Sequence, residues 1–245
     1  MQRSKARTLA AAALAALTVG GLASCSALGQ KTFEDDAQVS QRITSIRLDN
    51  GNGGVRVDAS ADTSTISVHR KVDYRGDKPS DTSFRVRGAV LVLSGCGRNC
   101  GVEYVVKVPA GLPVTGGTSN GRLTLTDVGA VDVHTSNGRI TVTDAEGPVK
   151  LRTSNGDVDV RDVKGGGIDT RTSNGEVTIR TATPQNIKAR TASGDLTVTA
   201  PPAKYRISAD DSNGDKNVTL KNDPSGTYSL ELTTKNGDLT LKPAS

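Results

Sequence analysis

Gly121-Arg122-Leu123-Thr124-Leu125-Thr126-Asp127-Val128-Gly129-Ala130-Val131-Asp132-Val133-His134-Thr135-Ser136-Asn137-Gly138 is the stretch that decides the fold. Polar and apolar residues alternate from Arg122 to Thr126 and again from Val131 to Thr135. Period-two alternation built on Leu, Val and Thr reads as a strand with one buried face. Asp127 to Ala130 and Ser136 to Gly138 read as turns. The unit is therefore strand, bend, strand, bend.

The closing phrase of this unit recurs. It stands at Thr118-Ser119-Asn120-Gly121, Thr135-Ser136-Asn137-Gly138, Thr153-Ser154-Asn155-Gly156 and Thr172-Ser173-Asn174-Gly175. Looser copies follow at Thr191-Ala192-Ser193-Gly194, Asp211-Ser212-Asn213-Gly214 and Thr234-Lys235-Asn236-Gly237. The glycines step by 17, 18, 19, 19, 20 and 23 residues. A repeat of that period is one structural unit stacked on itself. Apolar pairs after the glycine repeat as well, from Leu123/Leu125 and Ile140/Val142 to Val218/Leu220 and Leu239/Leu241. So do the pairs before the bend, from Val131/Val133 through Ile168/Thr170 to Tyr205/Ile207 and Leu230/Leu232.

The bend residues have physical reasons. Asn and Gly both tolerate positive φ, which sharp bends require. Stacked Asn side chains are expected to form an amide ladder, interrupted at Ser193. The Thr that opens most bends lies on the inward phase, so its hydroxyl is expected to bond the neighbouring rung. Two all-β folds satisfy this pattern. One is a β-solenoid of about seven two-stranded rungs with equivalent strands paired in parallel. The other is an antiparallel β meander with Asn-Gly as hairpin turn, placing Thr135 opposite Ile140 and Val133 opposite Val142. The near-identity of the bends favours the solenoid, because stacked rungs reward identical columns.

The flanks differ in character. Arg3, Lys5 and Arg7 precede an apolar run from Leu9 to about Gly21, then Leu22-Ala23-Ser24-Cys25. Residues 1–24 read as a signal peptide. The last four residues resemble the bacterial lipobox, which implies cleavage before Cys25 and lipid on its sulfur. The apolar run is shorter than the ~20 residues of a membrane span. Residues 25–40 read as the lipidated Cys and a tether. Residues 41–117 read as a less regular β section that covers a sheet edge, and the repeats fill 118–245.

Composition narrows the function classes. There is no Trp, with two Phe and four Tyr, which suits a narrow solenoid interior better than a thick globular core. The net charge of +5 includes Arg3, Lys5 and Arg7, leaving about +2, which argues against nucleic-acid binding. Cys96 and Cys100 frame Gly97-Arg98-Asn99 and are expected to pair as a disulfide outside the cytoplasm. The alternative, a metal site, lacks further ligands at useful spacing, since the two His are His69 and His134. No cofactor is implied.

Catalytic patterns are weak. No Gly-x-Ser-x-Gly elbow occurs. Asp157/Asp159 and Asp210/Asp211 are close carboxylates of the kind glycosidases use, and they also read as solvated strand positions. An EF-hand reading of Asp211 to Asp215 fails, with Ala209 and Leu220 at its first and twelfth positions. The best surface feature is a column. His134, Arg152, Arg171 and Arg190 each precede the bend Thr on the outward phase. Stacking at about 4.8 Å would make them a basic stripe, a candidate ligand-binding face for anionic wall polymers or lipid headgroups. Asp157, Glu176 and Asp195 lie five residues after the three Arg and are expected to pair with them across the bend, neutralising the stripe.

Val106-Lys107-Val108-Pro109-Ala110-Gly111, followed by serial Ser/Thr-x-Asn/Ser-Gly-x-(Val/Leu/Ile)-x-(Val/Leu/Ile) units, resembles the putative-adhesin family of bacterial exported proteins over about residues 43 to 242. The resemblance implies a β-solenoid and supplies no catalytic residues. The expectation is a non-catalytic, extracytoplasmic protein held to the membrane by lipid on Cys25. Its partner would be an envelope glycan, an anionic polymer or a protein. An envelope-stress or antimicrobial-peptide-responsive lipoprotein is the alternative. A β-helical carbohydrate-active enzyme using Asp157 or Asp159 comes third, since few aromatics are available for sugar stacking.

Overall fold

A computed structural model describes residues 29–244, which fold entirely into strands and turns. The segment expected as a signal peptide, and Cys25, lie outside the described residues. The strands are β1 (Gln30–Val39), β2 (Ser45–Asn52), β3 (Val55–Ser60), β4 (Ile66–Arg75), β5 (Phe84–Arg87), β6 (Val90–Ser94) and β7 (Cys100–Pro109). Then come β8 (Val114–Asn120), β9 (Leu123–Thr126), β10 (Val131–Asn137), β11 (Ile140–Thr143), β12 (Val149–Asn155), β13 (Val158–Val163) and β14 (Ile168–Arg171). The remainder are β15 (Val177–Thr181), β16 (Ile187–Arg190), β17 (Leu196–Ala200), β18 (Tyr205–Asn213), β19 (Lys216–Val218), β20 (Tyr228–Asn236) and β21 (Leu239–Pro243).

These strands form two facing sheets. Sheet 1 runs β1-β4-β7-β3-β9-β11-β13-β15-β17-β21-β19, and sheet 2 runs β5-β6-β2-β8-β10-β12-β14-β16-β20-β18. Equivalent strands pair in parallel: Thr135 with Thr118 and Thr153, Ile140 with Leu123 and Val158. The fold is the β-solenoid and not the meander, whose Thr135–Ile140 pairing is absent among the described residues. The inward side chains form one continuous core, including Leu123, Leu125, Ile140, Val142, Leu151, Val160 and Ile179, all fully buried. Each such side chain contributes about 1.5–3 kcal/mol of burial.

The bends explain the repeat. Gly138 approaches the rung below so closely that a Cβ there would overlap the Gly121 carbonyl oxygen, and Gly121, Gly156, Gly175, Gly194 and Gly237 are placed alike. That same carbonyl accepts the inward Thr hydroxyl of the next rung: Thr153 donates to Gly138 at 3.2 Å, Thr172 to Gly156 at 3.0 Å and Thr191 to Gly175 at 3.1 Å. The Asn amides form the expected ladder, with Asn137 donating to Asn120 at 2.8 Å, Asn155 to Asn137 at 2.9 Å and Asn174 to Asn155 at 2.9 Å. Ser193 interrupts it, and Asn213 donating to Asn236 at 3.2 Å resumes it. The bend Asn residues do not take the positive φ expected of them. Among these residues only glycines take positive φ; Asn120, Asn137 and Asn155 end their strands, and Asn174 bridges to the rungs on either side. Among the described residues the left-handed non-glycine positions of the repeats sit at the opposite corner, on Asp127, Asp144 and Asp162 at 54°, 55° and 55°, and Asn99 at 56° is in the turn between Cys96 and Cys100.

The two ends depart from sequence order. The regular rungs begin before residue 118, because β2/β3 stacks directly on β8/β9 and Asn52 is the first ladder member, accepting from Asn120 at 2.8 Å. At the far end β20/β21 inserts between β16/β17 and β18/β19. The register there also differs from the sequence reading by two residues. Ile207 pairs with Leu230 and Val218 with Leu241, so Lys216 stands in the position of Leu239. As the terminal strand, β19 is exposed along its length.

Residues 30–39, expected as tether, are strand β1, antiparallel to β4. With β4 and β5 it covers the N-terminal end of the stack. Arg70, its side chain 6% exposed, donates to both Asp35 carboxylate oxygens at 2.5 and 2.7 Å. Arg70 also donates to Ser83 Oγ at 3.1 Å, and the Tyr104 hydroxyl donates to the Ser94 carbonyl at 2.8 Å. Burial pushes the Tyr104 hydroxyl up to about 12. Phe33 packs edge-on to Tyr74 at 5.8 Å, with Lys78 over its ring at 4.1 Å. Cys96 and Cys100 are joined in a disulfide, Cα 5.7 Å apart, where the chain crosses from sheet 2 to sheet 1.

Two expectations follow. Gly138→Ala should cost about 1–3 kcal/mol by overpacking against backbone. Gly51→Ala, where a Cβ meets nothing within 4 Å, should change stability by no more than about 0.5 kcal/mol. Denaturant titration of both variants measures this. The Arg70 bond holds the Asp35 carboxyl below its ordinary range. Its contribution is therefore complete above the usual carboxylate range, about pH 4, and is lost as pH falls through the lowered value. Asp35 is 41% exposed, so screening limits the loss in Asp35→Asn to about 1–2 kcal/mol at neutral pH. The gap between wild type and variant should close in acid.

Candidate ligand-binding face

Sheet 2 places His134, Arg152, Arg171 and Arg190 in one straight column, as consecutive cross-strand partners. All four are exposed. The column runs on to Gly117 on one side and Thr233 on the other. At strand spacing, neighbouring guanidiniums repel by about 0.9 kcal/mol even in water. The alternation of the strands turns these side chains outward while Val133, Leu151 and Ala189 turn in.

The expected neutralising partners are elsewhere. Asp157, Glu176 and Asp195 lie past the bend, at the head of the sheet 1 strands. Asp157 pairs with Arg139 at 2.5 Å and accepts the Glu176 N–H at 3.0 Å. Asp195 accepts the Asp238 N–H at 2.9 Å, and Glu176 accepts the Thr178 hydroxyl at 2.9 Å. The five-residue spacing crosses the corner, so each acid sits on the sheet 1 side and the Arg it was expected to neutralise sits on sheet 2. The basic column instead has two long ion pairs, Arg152–Asp132 and Arg190–Glu231, both at 3.9 Å. Those carboxylates are held more closely by Lys150 at 3.3 Å and Lys188 at 2.9 Å. Arg171 has no ion pair among the described residues.

Beside the column runs a groove that the sequence reading missed. Its volume is 530 Å³, and it follows the corner where sheet 2 begins. One wall is the alternating row Asp132, Lys150, Asp169, Lys188 and Glu231, and the other is the small corner residues Pro113, Ala130, Pro148 and Gly167. The signal was present, since those charged residues stand two positions before the column residues in every unit. Small residues at the opposite corner gave no reason to expect a channel.

Asp159 is gripped by Arg161 at 2.9 and 2.6 Å. The Arg139 bond, with the Glu176 N–H, holds the Asp157 carboxyl below its ordinary range. A general acid needs the opposite shift. Asp211 Oδ1 caps the Asn213 N–H at 3.1 Å. Among the described residues no three His, Cys, Asp or Glu side chains gather as a metal site would require.

No curated protein matches the chain. Solved structures of similar outline include a putative cell adhesion protein from Clostridium sporogenes at 15% identity, covering 87% of this chain and 100% of that one with TM-score 0.36. Another is a putative adhesin from Bacteroides fragilis at 12% identity, covering 87% of this chain and 97% of that one with TM-score 0.41. A third, from Parabacteroides distasonis, is also called a putative adhesin, at 14% identity, covering 87% and 97% with TM-score 0.38. The model of the Toastrack DUF4097 family matches residues 43–243. The rungs, the bends and all strands from β2 to β21 fall within that match, with β1 before it, and the chain belongs to the Toastrack DUF4097 family.

Proposed function

We propose that this chain is a non-catalytic, extracytoplasmic binding protein, anchored by lipid on Cys25, whose sheet 2 face takes a linear anionic polymer of the cell envelope. The observation that carries the reading is the basic column Arg152, Arg171 and Arg190, left with ion pairs no shorter than 3.9 Å beside a groove of parallel direction. Stacked rungs repeat one cation every 4.8 Å or so. A polymer with carboxylate or phosphate groups at comparable intervals would meet several at once, each weak alone and additive in series. The commitment of Asp157 and Asp159 to Arg139 and Arg161 supports the non-catalytic part.

The test uses the purified protein with polygalacturonate as polymer probe and phosphatidylglycerol vesicles as headgroup probe. Three exposed charge contacts at up to about 1 kcal/mol each predict that Arg152/Arg171/Arg190→Ala weakens polymer binding about tenfold or more. Raised salt should do the same. Equal binding by wild type and a folded triple variant contradicts the assignment. Binding confined to the vesicles moves the ligand from polymer to lipid surface.

A further inference from the structure

The chain contains eight Asn-Gly dipeptides. In a free chain this dipeptide is chemically unstable. The glycine amide nitrogen, on losing its proton to water or hydroxide, attacks Cγ of the preceding Asn. The Cγ–Nδ2 bond breaks, the nitrogen leaves as ammonia, and a succinimide ring closes. Water then opens either carbonyl, giving aspartate or isoaspartate. The net change is Asn plus water to Asp plus ammonia. Glycine promotes it because no Cβ hinders the turn that brings the nitrogen to Cγ.

The stack ties up the attacking nitrogen. Gly53, Gly121, Gly138, Gly156, Gly175 and Gly237 each donate their N–H to the bend carbonyl of the next rung, at 2.7, 2.9, 2.8, 2.8, 2.8 and 3.1 Å. The arrow always points the same way along the axis, toward the end formed by β18 and β19. The partner amides of Asn120, Asn137, Asn155 and Asn174 are held in the ladder as well. Asn50 is protected differently. It is 4% exposed and donates to the Gly53 and Val102 carbonyls, both at 3.0 Å.

Asn213-Gly214 is the exception. It belongs to the last rung, so no further carbonyl lies ahead of it. Among the described residues the Gly214 N–H has no partner. Asn213 and Gly214 are both exposed. Asn213 Nδ2 holds Asn236 Oδ1 and the Lys235 carbonyl, both at the long distance of 3.2 Å. Gly214 also lacks the positive φ that Gly53 and Gly237 take at 116° and 137°. The insertion of β20/β21 is what puts this dipeptide at the end, in place of Asn236-Gly237.

We propose that Asn213 is a site of spontaneous covalent modification, the one Asn-Gly of this chain that converts to aspartate and isoaspartate in the folded protein. The product removes the amide donor to Asn236 and adds a carboxylate beside Asp211 and Asp215. The change loosens and charges the terminal rung and leaves the interior ladder whole.

The purified protein is incubated near neutral pH in isotope-labelled water, folded in one sample and in guanidinium in another. Peptide mass spectrometry then scores label at each of the eight sites. In guanidinium all eight should react at similar rates. In the folded sample Asn213 should stay within a few-fold of its unfolded rate. The other seven should slow by about tenfold or more, the effect of breaking one hydrogen bond. Hydroxylamine, which cleaves at the succinimide, should cut the folded chain between Asn213 and Gly214. Asn213→Gln should abolish both signals at that position. Protection of Asn213 equal to that of the ladder residues, or a ladder Asn reacting as fast as Asn213, overturns the proposal.

Discussion

The glycine carbonyl at each bend is the point on which the stack depends. It accepts the inward Thr hydroxyl of the next rung, and the next glycine lies against it with no room for a Cβ. Without that approach the parallel ladders on either side could not both stay in register. The strands turn at the corner, and its backbone and side-chain polar groups find partners on the neighbouring rung. Thr supplies one bond, the Gly N–H another and the Asn amide a third. Thr and Gly close the corner against its own copy, as Thr191 and Gly194 do without an Asn between them, and Asn adds the side-chain ladder.

This explains why the fold was legible in the sequence. The alternation at Leu123/Leu125 and Val131/Val133 named the buried face, and the repeated bend named the stacking. The Ser193 gap in the amide ladder was visible in the same way. What was not legible is where copies stop behaving as copies. Nothing local marks β20/β21 as lying inside β18/β19, because rung order at a free end is decided by which rung better covers the core. Leu230, Leu232, Leu239 and Leu241 are buried there, whereas β19 carries Lys216 and an exposed Val218. The richer rung packs inward and the poorer one caps. The strand over residues 30–39 was hidden similarly. Phe33, Glu34 and Asp35 have no clean period, and only Arg70, 35 residues on, gives Asp35 a partner.

The basic column was half legible. The outward phase of His134, Arg152, Arg171 and Arg190 follows from alternation alone. Their partners do not, because a corner intervenes between each Arg and the acid five residues later. The rung geometry sends Asp157 to Arg139 and the bend backbone, and Asp132 and Glu231 to the lysines. A column of like charge is unusual to leave on a regular sheet, since like pairs directly opposite destabilise it. A ligand of opposite sign offsets that cost, which ties the electrostatics of the face to the proposed role.

Amide hydrogen exchange at the bend glycines, read residue by residue by NMR, tests the stacking most directly. The account predicts slow exchange at Gly53, Gly121, Gly138, Gly156, Gly175, Gly194 and Gly237, whose N–H groups reach the next rung, and fast exchange at Gly214. Slow exchange at Gly214 with fast exchange at Gly237 would restore the sequence order of the last two rungs and contradict it.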